Sequence, residues 1–158
     1  MKSKGQDFTK INLEDFPDLS YKQIGIVVSE WNKDITSNLL NGAQAKLIEL
    51  GVKNENIIIL WVPGSFELVY GCKELCKQNL DAIIAIGCVI KGETDHYDYI
   101  CSSVSNGISQ LNVNGKTPVI FCVLTDHNKE QSLARSGGKY GNKGAESAIA
   151  AIKMAALK

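Results

Sequence analysis

Residues 85–100, AIGCVIKGETDHYDYI, decide the fold. The run 85–90 is apolar and of strand type, Lys91 and Gly92 lead into a short polar turn, and His96 falls in the first turn of a helix. A strand that ends in a small turn and restarts as a helix presents backbone N–H groups and one imidazole at the carboxyl edge of a sheet. That edge is where open α/β sheets bind ligands. The turn is therefore the expected centre of an active site.

Working outward, the chain reads as strand-then-helix units behind a polar arm. Residues 24–28 (IGIVV) and 57–61 (IIILW) are short continuous apolar runs, as expected of strands covered on both faces. Leu39, Ala43, Leu47 and Leu50 follow the first at helical spacing, with Gly51 just past the end. After the second, residues 62–65 (VPGS) form a turn expected to cap a helix whose inner face carries Phe66, Val69, Cys72 and Cys76. Beyond residue 96, Ile100, Val104, Ile108 and Leu111 share a stripe. Residues 114–116 close that helix and 118–124 supply a fourth strand. Residues 125–144 are polar, glycine-rich and read as a loop; the last helix turns Ile149, Ile152 and Ala156 inward.

Strands alternating with helices at this spacing predict an α/β three-layer sandwich, a four-stranded parallel sheet with helices on both faces. The flavodoxin-like strand order places the carboxyl ends of the first and third strands at the switch point, with Trp31 and His96 facing one cleft. Residues 1–22 are expected to form an N-terminal arm, able to pair as a strand but not to carry a core, and residues 23–158 a single domain.

Bulk composition narrows the classes. The chain has 158 residues, 44% hydrophobic, with seventeen basic side chains balancing seventeen acidic ones, so neither a nucleic-acid nor a membrane surface is indicated. No apolar run is long enough to span a bilayer, and the N-terminus lacks a secretory pattern, so a cytoplasmic protein is expected. The five cysteines read as reduced, small apolar side chains; Cys72 and Cys76 share a helix face but have no histidine near them in sequence to make a metal site. GxGxxG, GxxxxGK[ST] and GxSxG are all missing, which removes dinucleotide, P-loop and hydrolase-elbow chemistry.

What remains is Trp31, residues 64–67 (GSFE), residues 91–96, Phe121, and Arg135 with Lys143 in RSGGKYGNKG. All but Phe121, which lies within the expected fourth strand, fall at or after the carboxyl end of an expected strand. These residue types suit a planar polar ligand, with a ring to stack on, a hydroxyl and a carboxylate for hydrogen bonds, and cations for an anion. A phosphate suits the helix N-terminus at Thr94 together with Arg135.

VSEWN, VPGSFE, AIGCVIKGETDHYDYI and GGKYGNKG, in this order and spacing, resemble the lumazine synthase family over nearly all of the chain from Ile24 onward. The resemblance implies a transferase of riboflavin biosynthesis that joins 5-amino-6-(ribitylamino)uracil to 3,4-dihydroxy-2-butanone 4-phosphate, giving 6,7-dimethyl-8-ribityllumazine and phosphate without metal or organic cofactor. Trp31 takes the place of an aromatic, more often phenylalanine, that stacks on the pyrimidine. Ser65 and Glu67 match ribityl-binding positions, with Phe66 between them, and Val89 and Ile90 match backbone contacts to the pyrimidine. Glu93 and Thr94 match the phosphate-binding turn, Lys91 just before them counts as a further substrate-binding position, and His96 matches the proton-transfer residue. Phe121, Arg135 and Lys143 match positions that complete the site, Phe121 and Arg135 resembling contributions from a neighbouring subunit.

The resemblance also implies homo-oligomers, either pentamers or icosahedral shells of pentamers. The short link between Arg135 and Lys143 is similar to that of shell-forming members. The alternative is a non-catalytic lumazine- or flavin-binding or shell protein of the same fold; Trp31 leans that way, while His96, Arg135 and Lys143 lean against it.

Overall fold

The computed structural model describes residues 11, 12, 16 and 18–157. Ile24–Ser29 (β1) leads to α1 (Lys33–Glu49), Ile57–Val62 (β2) to α2 (Leu68–Leu75), and Ala82–Ile90 (β3) to α3 (His96–Asn114). Val119–Asp126 (β4) is followed by a short helix α4 (Lys129–Arg135), a small hairpin of β5 (Ser136–Gly138) and β6 (Gly141–Asn142), and α5 (Lys143–Ala155). The four long strands are parallel in the order β2-β1-β3-β4, so the first and third strands are neighbours and the switch point lies between their carboxyl ends, as expected.

The apolar runs are continuous because both faces of the sheet are covered. Along β3, Ala82, Ile84, Ile86 and Cys88 face one core with Leu39, Leu47, Ile149 and Ile152 of α1 and α5. Ile83 and Ala85 face the other with Leu68, Cys72, Val104 and Ile108 of α2 and α3. Burying one such aliphatic side chain contributes roughly 1.5–3 kcal/mol. A period-2 alternation of polar and apolar residues would leave one of these helix layers without a partner.

Four expectations need correction. Phe66 lies before α2, which begins at Leu68; the buried face of that helix is Leu68, Cys72 and Leu75, and Phe66 is 55% exposed. Ser65 does not cap α2, whose N-cap is Glu67 without a side-chain hydrogen bond. In α5 Ala155, not Ala156, turns inward, one position earlier than the sequence phase suggested. Residues 125–144 are not simply a loop, since they hold α4 and the β5–β6 hairpin. The strand proposed for the arm falls mostly on residues outside those described, but Leu19 is buried and Ile11 and Phe16 pack against the α1/α5 core, so the arm does add to it.

Asn142 explains the polar GNKG segment. Its side chain caps α5 by accepting from Gly144 N at 2.8 Å and Ala145 N at 3.3 Å, and it donates to Asn38 O of α1 at 2.8 Å. The helices meet so closely there that a Cβ on Gly144 would run into the Leu39 carbonyl. Backbone cannot yield as a side-chain tip does, so Gly144→Ala is expected to cost about 1–3 kcal/mol. Urea unfolding checks this; an unchanged midpoint would show that α5 can shift without penalty.

None of the five cysteines forms a disulfide among the described residues. Burial pushes Cys72 up to about 12, helped by the neighbouring Cys76, and pushes Cys88 and Cys122 up to about 11 each, against 9.0 for an unperturbed thiol. Unfolding lets these thiols ionise earlier, so their contribution to stability is fully present below about pH 9 and is lost as pH rises toward 11–12. Denaturation across pH 8–11 is expected to show this decline, and Cys72→Ala should flatten it. An identical slope in that variant would exclude Cys72 as a contributor.

Candidate active site

Where β1 ends, Glu30 N donates to Val62 O at 2.8 Å and Trp31 N to Pro63 O at 3.1 Å, fastening the two residues after β1 to the end of β2. Asn32 then takes a left-handed conformation (φ 58°, ψ 45°), uncommon for a residue with a Cβ, and its Nδ2 donates to Cys88 O of β3 at 3.0 Å. This turn leaves the Trp31 ring 71% exposed at the switch point. Asparagine there ties β1 to β3, a role the sequence reading missed.

Trp31 and Phe66 flank a cleft of about 650 Å³ whose lining includes Ser65, Glu67, Val89, Ile90, Thr94 and His96. Trp31 and His96 thus face one cleft, as expected, and Phe66, set aside from the α2 core, is part of its wall. Ser65 is buried, and its hydroxyl has no hydrogen-bond partner among the described residues. An unpartnered buried hydroxyl costs free energy unless a ligand or water satisfies it. Gly87 keeps this floor open, because a Cβ there would come within 2.7 Å of Ser65 Oγ and 2.8 Å of Leu68 Cδ1.

His96 is the first residue of α3 and is solvent-exposed. The helix has no side-chain cap at Asp95, and while Asp98 N donates to Asp95 O at 3.0 Å, the His96 and Tyr97 amides have no described backbone partner and can meet an anion. Lys91 and Glu93 stand exposed on the same turn but outside the cleft lining. Lys91 N donates to Asp126 O at 3.0 Å, and its ammonium lies 5.7 Å from the Tyr97 ring centroid. Tyr97 itself lines the cleft, and burial pushes its phenol above the ordinary value. Its position directly after His96 was the one sequence signal for it.

Phe121, Arg135 and Lys143 are elsewhere. They line a second depression of about 570 Å³ along β4, and no residue lines both that depression and the cleft. Phe121 is 42% exposed on β4, the strand at one end of the sheet order. Arg135 Nη1 donates to Gln131 O at 2.9 Å, lies 3.8 Å from Asp126 Oδ1, and its guanidinium is 5.3 Å from the Tyr140 ring centroid. Lys143 pairs with Glu146 at 2.6 Å. Lys143 therefore groups with Phe121 and Arg135 rather than with His96.

The family model for 6,7-dimethyl-8-ribityllumazine synthase matches residues 21–158. The chain belongs to the lumazine synthase family. It is 54% identical over 160 aligned residues to the 6,7-dimethyl-8-ribityllumazine synthase of Christiangramia forsetii, an alignment covering 100% of this chain and 95% of the relative. It is 52% identical over 159 residues to that of Flavobacterium johnsoniae, covering 100% and 84%, and 53% identical over 133 residues to that of Bacteroides fragilis, covering 84% and 93%. The parallel sheet with helices on both faces agrees with lumazine synthase membership, and no helix among the described residues is long and apolar enough to cross a membrane.

Proposed function

We propose that the chain condenses 5-amino-6-(ribitylamino)uracil with 3,4-dihydroxy-2-butanone 4-phosphate to 6,7-dimethyl-8-ribityllumazine. The observation that carries the reading is the single cleft at the β1/β3 switch point that gathers Trp31, Ser65, Glu67, Thr94 and His96. The pyrimidine stacks on Trp31, with Phe66 on the same wall and the backbone of Val89 and Ile90 reading its edge. Ser65 and Glu67 take the ribityl hydroxyls, which gives the unpartnered Ser65 hydroxyl its partner. The phosphate meets the turn of Lys91, Glu93 and Thr94 and the first amides of α3.

In the reaction the pyrimidine amine attacks the ketone and water leaves. Phosphate is then eliminated, and the ribityl-bearing nitrogen closes the ring on the second carbonyl with loss of another water. Both partners are reactive once aligned, and well-oriented intramolecular reactions gain up to roughly 7–11 kcal/mol. His96 stands where it can pass protons to and from the carbonyl and amine groups as they react.

The cleft holds no guanidinium, because Arg135 lines the separate depression. That separation supports Phe121, Arg135 and Lys143 completing the cleft of a neighbouring copy, with a homo-oligomer, a pentamer or a shell of pentamers, as the working unit. Mixing the protein with both substrates and following the lumazine chromophore tests the activity. A protein-dependent rise over the protein-free mixture is expected. Lumazine binding without any rise would replace the enzyme with a binding protein.

A further inference from the structure

We propose that Asp126 is a positioning residue that aims the Arg135 guanidinium at the substrate phosphate, an inference that rests on the phosphate-binding role given to Arg135 above. Asp126 is the last residue of β4 and only 6% exposed. A carboxylate buried to that degree needs partners. Its Oδ2 accepts from Ser132 Oγ at 2.8 Å, and its Oδ1 faces Arg135 Nη1 at 3.8 Å. Ser132, fully buried on α4, also accepts from Cys88 Sγ of β3 at 3.4 Å. The carboxylate is thus braced by the helix that carries Arg135 and, through Ser132, by the strand that floors the cleft.

The geometry suits aiming rather than capture. At 3.8 Å the pair attracts but does not form a hydrogen bond, so the Asp126 carboxylate orients the guanidinium without consuming a donor. The one hydrogen bond described for Arg135 also uses Nη1, toward Gln131 O, so the fork is tethered at one corner while a phosphate can meet the rest. Asp126 O accepts from Lys91 N, which links this brace to the turn ahead of Thr94 in its own subunit. The same short segment therefore serves the cleft of its own copy and the Arg135 offered to the neighbour's.

Asp126→Asn keeps the size of the side chain and an acceptor for Ser132, but removes the charge that faces Arg135. The KM for the butanone phosphate is expected to rise about fivefold, the size of a partly screened ion pair, with the KM for the pyrimidine unchanged. Inhibition by inorganic phosphate should weaken by the same factor. The deciding readout is the Arg135→Ala background, where adding Asp126→Asn should change nothing further, whereas a merely structural role would keep its full cost. Ser132→Ala, which strips the carboxylate of its hydroxyl partner, should shift the same KM in the same direction and serves if Asp126→Asn fails to fold. Equal changes in both KM values, no change in either, or the same cost with and without Arg135 would overturn the proposal. If Arg135→Ala itself leaves the butanone phosphate KM untouched, the phosphate-binding reading falls and this inference with it.

Discussion

Arg135→Ala should raise the KM for the butanone phosphate by on the order of fiftyfold, with a much smaller change in the KM for the pyrimidine. A hydrogen bond to a charged group is worth about 1.5–3 kcal/mol, and a guanidinium facing a phosphate makes more than one. The first turn of α3 and Thr94 remain in the variant, so binding is weakened rather than abolished. Arg135→Lys should fall between the two, because an ammonium keeps the charge but not the planar fork. Arg135 is partly exposed and its described partners are Gln131, Asp126 and Tyr140, so the fold should tolerate the change. Steady-state kinetics with each substrate varied in turn checks this. Equal effects on the two KM values would place Arg135 outside the phosphate site.

His96→Ala should lower kcat by on the order of a hundredfold while leaving turnover well above the protein-free mixture. Proton transfer is one part of the acceleration, and alignment in the cleft, which survives the substitution, is the larger part. The exposed position of His96 at the start of α3 means that stability should change little, so the loss can be read as chemistry. Single-turnover rates with both substrates saturating make the comparison. A residual rate equal to the protein-free mixture would show that alignment contributes nothing without the imidazole.

The sheet and the cleft were legible because their signals are local. β1 and β3 are buried on both faces and so read as unbroken apolar runs, and their shared edge then placed Trp31 and His96 together. The α2 start was misread because Ser65 has the chemistry of a cap, yet its hydroxyl lies unpartnered in the cleft floor. Residues 125–144 hid a helix because α4 is one short segment held by the Asn128 cap, which accepts from Gln131 N at 3.0 Å, and its only buried side chain is Ser132. No apolar period announces such a helix. The grouping of Lys143 with Arg135 depends on where α5 packs against β4, a tertiary fact beyond the reach of spacing.

We propose that the condensation runs at a site shared between copies, with His96 from one and Arg135 from the next. The most direct measurement co-assembles His96→Ala with Arg135→Ala protein in equal amounts and follows lumazine formation at low substrate concentration. If each site takes His96 and Arg135 from different copies, about a quarter of the sites in the mixture regain both, and activity rises well above the sum of the two variants assembled apart. Activity that never exceeds that sum, in assemblies shown to contain both variants, would contradict the shared site.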